Sequence, residues 1–278
     1  MEIDIDHLRG WIGREQKDSE HLDPTLVRQF NATFDRDSGT EIGDVAPLLI
    51  HFCLAQPTVP TMKLGEDGHP ARGGFLPPVP LPRRMWAGGA IQFFGPIRIG
   101  ETVTRRSVIT DVTLKQGRTG PLCFVTVDHD VTSNGLKVLT ERQDIVYRGA
   151  SPTGTTTTAP APAAIGEQHR TVTPTAPLLF RYSALTFNGH RIHYDKPYAT
   201  GVEGYPGLIV HGPMQATQLC QYAADLHGKP PRYFRFRSLS PIFDDADFTL
   251  NASTDGAGLK LWTARTGGPV AMEAQAEW

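Results

Sequence analysis

Residues 213–239 read PMQATQLCQYAADLHGKPPRYFRFRSL, a helix followed by the start of a strand. Pro213 suits a first helical turn, Gly228 suits the position just past the end, and Pro230 and Pro231 prevent continuation, so the spacing predicts a helix over 213–227. Met214, Ala216, Leu219, Cys220, Ala223 and Ala224 make its faces small and apolar, which suits a helix wrapped by a curved sheet. In YFRFRSL apolar residues alternate with arginine, the period of a strand with one buried face. A buried helix leading into antiparallel strands defines an α+β half-domain.

Moving outward, Leu122 to Thr132 and Lys137 to Tyr147 are alternating apolar runs on either side of Ser133-Asn134-Gly135, which predicts an antiparallel hairpin. The tract that follows, ASPTGTTTTAPAPAAIG over 150–166, has almost no side chain able to build a core and is expected to be an exposed, extended linker. It divides the chain into a first part, 1–149, and a second, 167–278. These look related: GPIRIGETVT at 95–104 matches SPIFDDADFT at 240–249, with Pro96 against Pro241, and duplication is the economical account.

A length of 278 residues accommodates one large domain or two of ordinary size, and 39% hydrophobic with 20% charged residues describes a globular chain. A formal net charge of -2 gives no electrostatic reason to expect nucleic acid or an anionic membrane as partner. No window reaches the ~18 apolar residues of a membrane span, and the acidic start MEIDIDHLRGW is unlike a signal peptide, so the cytosol is the expected compartment. Cys53, Cys123 and Cys220 are scattered and odd in number, which favours free structural thiols.

The segments richest in chemistry are RYSALTFNGHRIHYDKPYA at 181–199 and GYPGLIVHGPM at 204–214. They resemble the MaoC-like hydratases, also called R-specific enoyl-CoA hydratases or hydratase 2, matching at Thr186, Ile192, His193, Asp195, Val210, His211 and Gly212. The family's Gly, Asp and Asn fall on Phe187, Asn188 and His190. With GGFLPPVPLPRRMWAGG at 73–89, the wording NGHRIHYD resembles a narrower branch of fused double-hot-dog enzymes. That branch holds the mesaconyl-C4-CoA and itaconyl-CoA hydratases and the mitochondrial-type 3-hydroxyacyl thioester dehydratases. The resemblance implies an α+β double hot-dog, two curved antiparallel sheets each wrapped around a central helix, with the catalytic motif in the second half and pocket walls in the first. It implies reversible hydration of an enoyl-CoA, with mesaconyl-C4-CoA or itaconyl-CoA giving citramalyl-CoA as the specific expectation, and no cofactor beyond the coenzyme A of the substrate. A homodimer of such chains is the assembly left open.

Hydrating an α,β-unsaturated thioester requires a base for water, a proton for the α carbon and donors for the enolate oxygen. His193 suits the first two, because imidazole titrates near neutrality. Gly212 suits the third, at a helix N-terminus where amides have no intrahelical partner and a missing side chain lets a thioester approach. Asn188 can orient water but cannot take its proton. Either His193 carries the acid–base work with Asn188 positioning water, or a carboxylate from elsewhere replaces the family's. Asp195, expected two residues along an extended segment on the side of His193, is the nearest candidate, with Glu41 and Asp44 as further ones.

His190 is a second catalytic group or a residue bonding its own turn, and His211 shapes the loop before the helix. Asn188-Gly189 also reads as a tight turn. Metal binding by the His190/His193 pair is set aside, because no third ligand stands at helical or hairpin spacing. Arg83, Arg84, Arg235 and Arg237 are candidates for the phosphates of coenzyme A or an acyl carboxylate, or else face solvent; Trp86 and Tyr205 complete the expected substrate-binding set. The 73–82 run either caps an acyl pocket or forms a rigid surface connection. Three rivals share the fold: a long-chain 3-hydroxyacyl thioester dehydratase, a non-catalytic acyl-CoA-binding protein and a thioesterase.

Overall fold

The computed structural model describes residues 3–117, 120–149 and 161–278. In chain order the elements are α1 (Ile5–Arg9), β1 (Glu15–His21), α2 (Pro24–Thr33), β2 (Arg83–Phe93), β3 (Thr102–Gly117), β4 (Gly120–Ser133) and β5 (Leu136–Arg148). There follow β6 (Gln168–Val172), α3 (Ala176–Leu185), α4 (Lys196–Gly201), α5 (Gly212–His227), β7 (Tyr233–Ser238), β8 (Phe248–Asp255), β9 (Gly258–Arg265) and β10 (Val270–Glu277). The strands form one antiparallel sheet in the order β1-β3-β4-β5-β2-β7-β10-β9-β8-β6. The second five repeat the first five in mirrored order, and β2 pairs with β7 at the seam from Gly88↔Arg237 to Gln92↔Tyr233.

The same repeat governs how each half crosses its sheet. In the first, the Ala46 amide donates to the Ile97 carbonyl (2.9 Å) and the Ile99 amide to Asp44 (3.0 Å); in the second, Val210 donates to Ile242 and Asp244 to Leu208 (both 2.9 Å). The two motifs matched in the sequence, at Pro96 and Pro241, therefore occupy equivalent places. The hairpin forms as expected, with Asn134 (φ 45°) and Gly135 (φ 81°) supplying the two left-handed residues of a tight turn whose twist suits flanking strands.

Helix α5 carries out its sequence expectation: Pro213 lies in the first turn and Gly228 ends it in the left-handed conformation, its amide bonding the Ala224 carbonyl at 2.8 Å. Met214, Ala216, Leu219, Cys220 and Ala223 are buried, as are Phe234 and Phe236 of β7. Truncating Leu219 to alanine in such a site costs about 2–5 kcal/mol.

The first half departs from the expected central helix. After its crossover comes a single 3-10 turn, Ile50–Cys53, framed by Leu49 and Ala55, both in left-handed backbone conformations (φ 64° and 50°). Ala55 is fixed there, its amide donating to Glu20 Oε2 (2.7 Å) and its carbonyl accepting from Arg105 (2.6 Å), and Pro57 follows. A helix cannot pass through that point. Ile50, Phe52, Cys53 and Leu54 still join the core shared by both halves.

Residues 77–82 settle the question left open for the 73–82 run: Val79 and Leu81 pack with Ile109, Val125, Ile145 and Tyr147 in a second apolar cluster, so the segment covers the outer face of the first half's sheet. Most of the predicted linker lies outside the described residues. Its end is held on the second half, where Ala163 donates to Gly268 and the Ala164 carbonyl accepts from Trp262. All three cysteines are free and buried. No helix among the described residues is long and apolar enough to cross a membrane.

Candidate active site

His193 lies on a 3-10 turn, Arg191–His193, that leads into helix α4, where the sequence suggested an extended segment. The turn is held to the crossover before α5: the Ile209 amide donates to the Ile192 carbonyl (2.9 Å), and His193 Nδ1 donates to the Ile209 carbonyl (2.7 Å). That bond fixes the tautomer with Nε2 unprotonated and able to accept. Burial pushes the His193 imidazole down to about 4, so the ring is neutral at pH 7.

His193 stands in a row of imidazoles. The His211 ring stacks on it at 3.7 Å between centroids and pairs through Nε2 with the Ser183 hydroxyl at 2.8 Å. His190 meets it edge-on at 5.4 Å, and beyond His190 lies His69 of the first half, centroids 4.1 Å apart. His69 Nδ1 donates to Asp67 Oδ2 at 3.1 Å. Burial and the nearby Arg84 guanidinium push His69 down to about 4 against the pull of Asp67. Burial, with His69 and His193 alongside, depresses His190 further. Burial is the largest single influence on Asp67 and opposes its charge, but the hydrogen bonds from the His69 ring and amide, with the attraction of His69 and His190, together outweigh it and keep the carboxyl below its ordinary range.

Two tripeptides make this junction, Asp67-Gly68-His69 and Asn188-Gly189-His190, and they share one design. Asp67 Oδ1 accepts from the His69 amide and Asn188 Oδ1 from the His190 amide, each at 3.0 Å. The turns meet glycine against glycine: a Cβ on Gly68 would lie 1.9 Å from the Gly189 carbonyl oxygen, and one on Gly189 would lie 2.7 Å from that of Gly68. The Arg191 amide donates to the Asp67 carbonyl (2.9 Å) and its guanidinium to that of Glu66 (3.0 Å). Asp67 and His69 did not emerge from sequence reasoning. The available signal was the pair Asp-Gly-His and Asn-Gly-His, 121 positions apart.

Several expectations change. Asp195 is not on an extended segment beside His193; it caps α4, accepting from the Tyr198 amide (3.2 Å), and pairs with Arg191 at 2.8 Å. Asp44 accepts from the Glu41 amide within the first-half crossover. The Asn188 oxygen is spent on its own turn, and the positive φ belongs to Phe187 (49°). The metal argument from spacing also changes, because Asp67, His69 and His190 offer ligand atoms within 4.8 Å of one another.

Gly212 opens α5 beside Trp86, whose ring would lie 3.1 Å from a Cβ there, so its missing side chain makes room for the indole. Trp86 packs at a tilt against Phe236, ring centroids 4.5 Å apart, and its Nε1 is buried with no partner among the described residues. Arg84 reaches the Tyr147 phenol and acts on both His69 and His190. Arg83 pairs with Glu203 at 3.4 Å and lies over Tyr205 at 5.3 Å. Arg235 and Arg237 alternate with buried Phe234 and Phe236 and so project from the opposite, exposed face, where they bond Gln275 and Glu273; they do not close a pocket at His193.

A buried neutral imidazole beside the start of a hot-dog helix suits the chemistry of a thioester hydro-lyase, the class that the chain's relatives define. The chain belongs to the hydroxyacyl-thioester dehydratase type 2 family, whose model matches residues 49–244. It is 43% identical over 272 residues to the mesaconyl-C(4)-CoA hydratase of Chloroflexus aurantiacus, covering 96% of each chain. It superposes on a MaoC-like dehydratase from Phytophthora capsici with a TM-score of 0.71 at 13% identity, covering 99% of this chain and 98% of that one. A Mycobacterium tuberculosis protein described as a double hotdog fold gives a TM-score of 0.59 at 13% identity, covering 95% of each.

Proposed function

We propose that this chain reversibly adds water to the double bond of a short branched dicarboxylic enoyl-CoA, mesaconyl-C4-CoA or itaconyl-CoA, to give citramalyl-CoA. The observation that carries the substrate is the 43% identity, end to end, with a mesaconyl-C(4)-CoA hydratase. In mesaconyl-C4-CoA, whose double bond is conjugated with the thioester, His193 Nε2 accepts the proton of water as oxygen bonds to the β carbon, and the displaced electron pair moves onto the thioester oxygen. The β,γ double bond of itaconyl-CoA first moves into conjugation by transfer of an α proton to the γ carbon. The amide end of α5 at Gly212 and the Trp86 indole, unpartnered among the described residues, are the donors for that oxygen. The proton returned to the α carbon completes the addition, with no cofactor required.

Of the four arginines singled out in the sequence, Arg84 is the one that acts on the histidine row, and it suits the free carboxylate of a dicarboxylic acyl group. A long-chain dehydratase would have no use for a cation there. The test is loss of enoyl absorbance on mixing with mesaconyl-, crotonyl- and long-chain enoyl-CoA, and appearance of citramalyl-CoA from itaconyl-CoA, whose double bond is not conjugated. Turnover is expected for the dicarboxylic substrates and should fall about 10³-fold in His193→Ala with the fold intact. Preference for long chains would overturn the substrate reading, release of free thiol would indicate a thioesterase, and full activity of His193→Ala would overturn the site.

A further inference from the structure

We infer that Asp67, acting through His69, is the anion of this acid–base cluster, so that the first half supplies from across the seam the carboxylate lacking at position 188. The inference rests on the proposed role of His193. Its basis is the matched pair of turns: each closes on an Asx side chain, each presents a histidine to the same row, and only the Asp67 turn carries a charge. Beside His69 and His190 stand Asp67 from the same turn as His69, Arg72 from 57–82, Arg84 from β2, and His193 and His211 from the second half. Asp67 is the one carboxylate among them. Asp195 is engaged by Arg191 and the start of α4, and Asp44 by its own loop.

The chemistry needs such a group. In hydration the water O–H bond breaks as the O–Cβ bond forms; the proton goes to an imidazole, and the π pair goes to the thioester oxygen. The enolate then collapses, and its α carbon takes a proton back from the imidazoles, leaving the protein unchanged. While the cluster holds that proton it is cationic and buried, and the substrate's carboxylate is engaged by Arg84, an arrangement that is unfavourable without a further anion. Asp67 provides one, and its bond to His69 Nδ1 leaves Nε2 of that neutral ring unprotonated. Asp67 is thus a positioning residue.

The decisive variant is Asp67→Asn, which the protein's own Asn188 turn shows to be compatible with the local backbone. On the proposed substrate, kcat should fall about 10²-fold with KM nearly unchanged. The acid limb of the pH–rate profile should move to lower pH, because loss of the anion makes the imidazoles harder to protonate. Adding Asn188→Asp, which returns a carboxylate to the neighbouring turn, should recover about tenfold. A wild-type rate and pH profile in Asp67→Asn, while His193→Ala is inactive, would overturn this inference alone; an active His193→Ala would overturn the reading beneath it. A lowered melting temperature with an unmoved pH limb would mean a structural role. Loss of activity when the intact enzyme is dialysed against a chelator would assign Asp67, His69 and His190 to a metal instead, and would also overturn it.

Discussion

The two halves begin alike and then diverge at one point. Asp44 and Ala46 make the same crossover hydrogen bonds as Leu208 and Val210, but the next residue is Pro47 in the first half and His211 in the second. Beyond it the second half builds α5, while the first makes one turn and releases 57–82 as a Pro/Gly-rich segment. The loop before the crossover differs in the opposite sense: residues 34–42 merely connect in the first half, whereas 186–206 in the second carry Asn188, His190 and His193. One half keeps the helix and the histidines. The other gives up its helix, and the chain thereby freed crosses to those histidines with an aspartate and a fourth ring.

The comparison can be broken most sharply where the halves touch. Gly68→Ala places a methyl group against the Gly189 carbonyl and a side chain on a backbone at φ +86°, so the two turns must separate. Displacements of about 1 Å in catalytic groups cost on the order of 10²-fold in rate. Turnover should fall by that amount while circular dichroism is preserved. A smaller effect should follow from Arg84→Met, which removes a first-half cation from beside the histidine row: KM for the dicarboxylic substrates should rise roughly tenfold, as expected for one charge-assisted hydrogen bond, with crotonyl-CoA little affected. Smallest of all is the outer face of the second half. Arg235→Ala and Arg237→Ala should leave kcat/KM unchanged and stability within about 0.5 kcal/mol.

Legibility in the sequence followed the range of the interactions. The β4–β5 hairpin, α5 and β7 were readable because a turn dipeptide, a capping glycine and a two-residue alternation are local signals. Asp195 was misplaced by reading 190–195 as extended, although an aspartate two residues before Pro197 is a helix-start signature. The first half's missing helix followed from Glu20 and Arg105 gripping Ala55, contacts made by residues 35 and 50 positions away. The loss of a family carboxylate at Asn188 was visible. Where its substitute lies depends on a contact between segments 121 positions apart, and no periodicity reports that.

The glycine-to-glycine contact also bears on why these halves are joined in one chain. In an assembly of two identical subunits every copy would have to serve as both helix bearer and aspartate donor, so neither could specialise without damaging the other. Fusion removes that constraint. It also turns the meeting of Asp67 with His190 into an intramolecular event, whose effective concentration is on the order of millimolar for short tethers and does not fall when the protein is diluted.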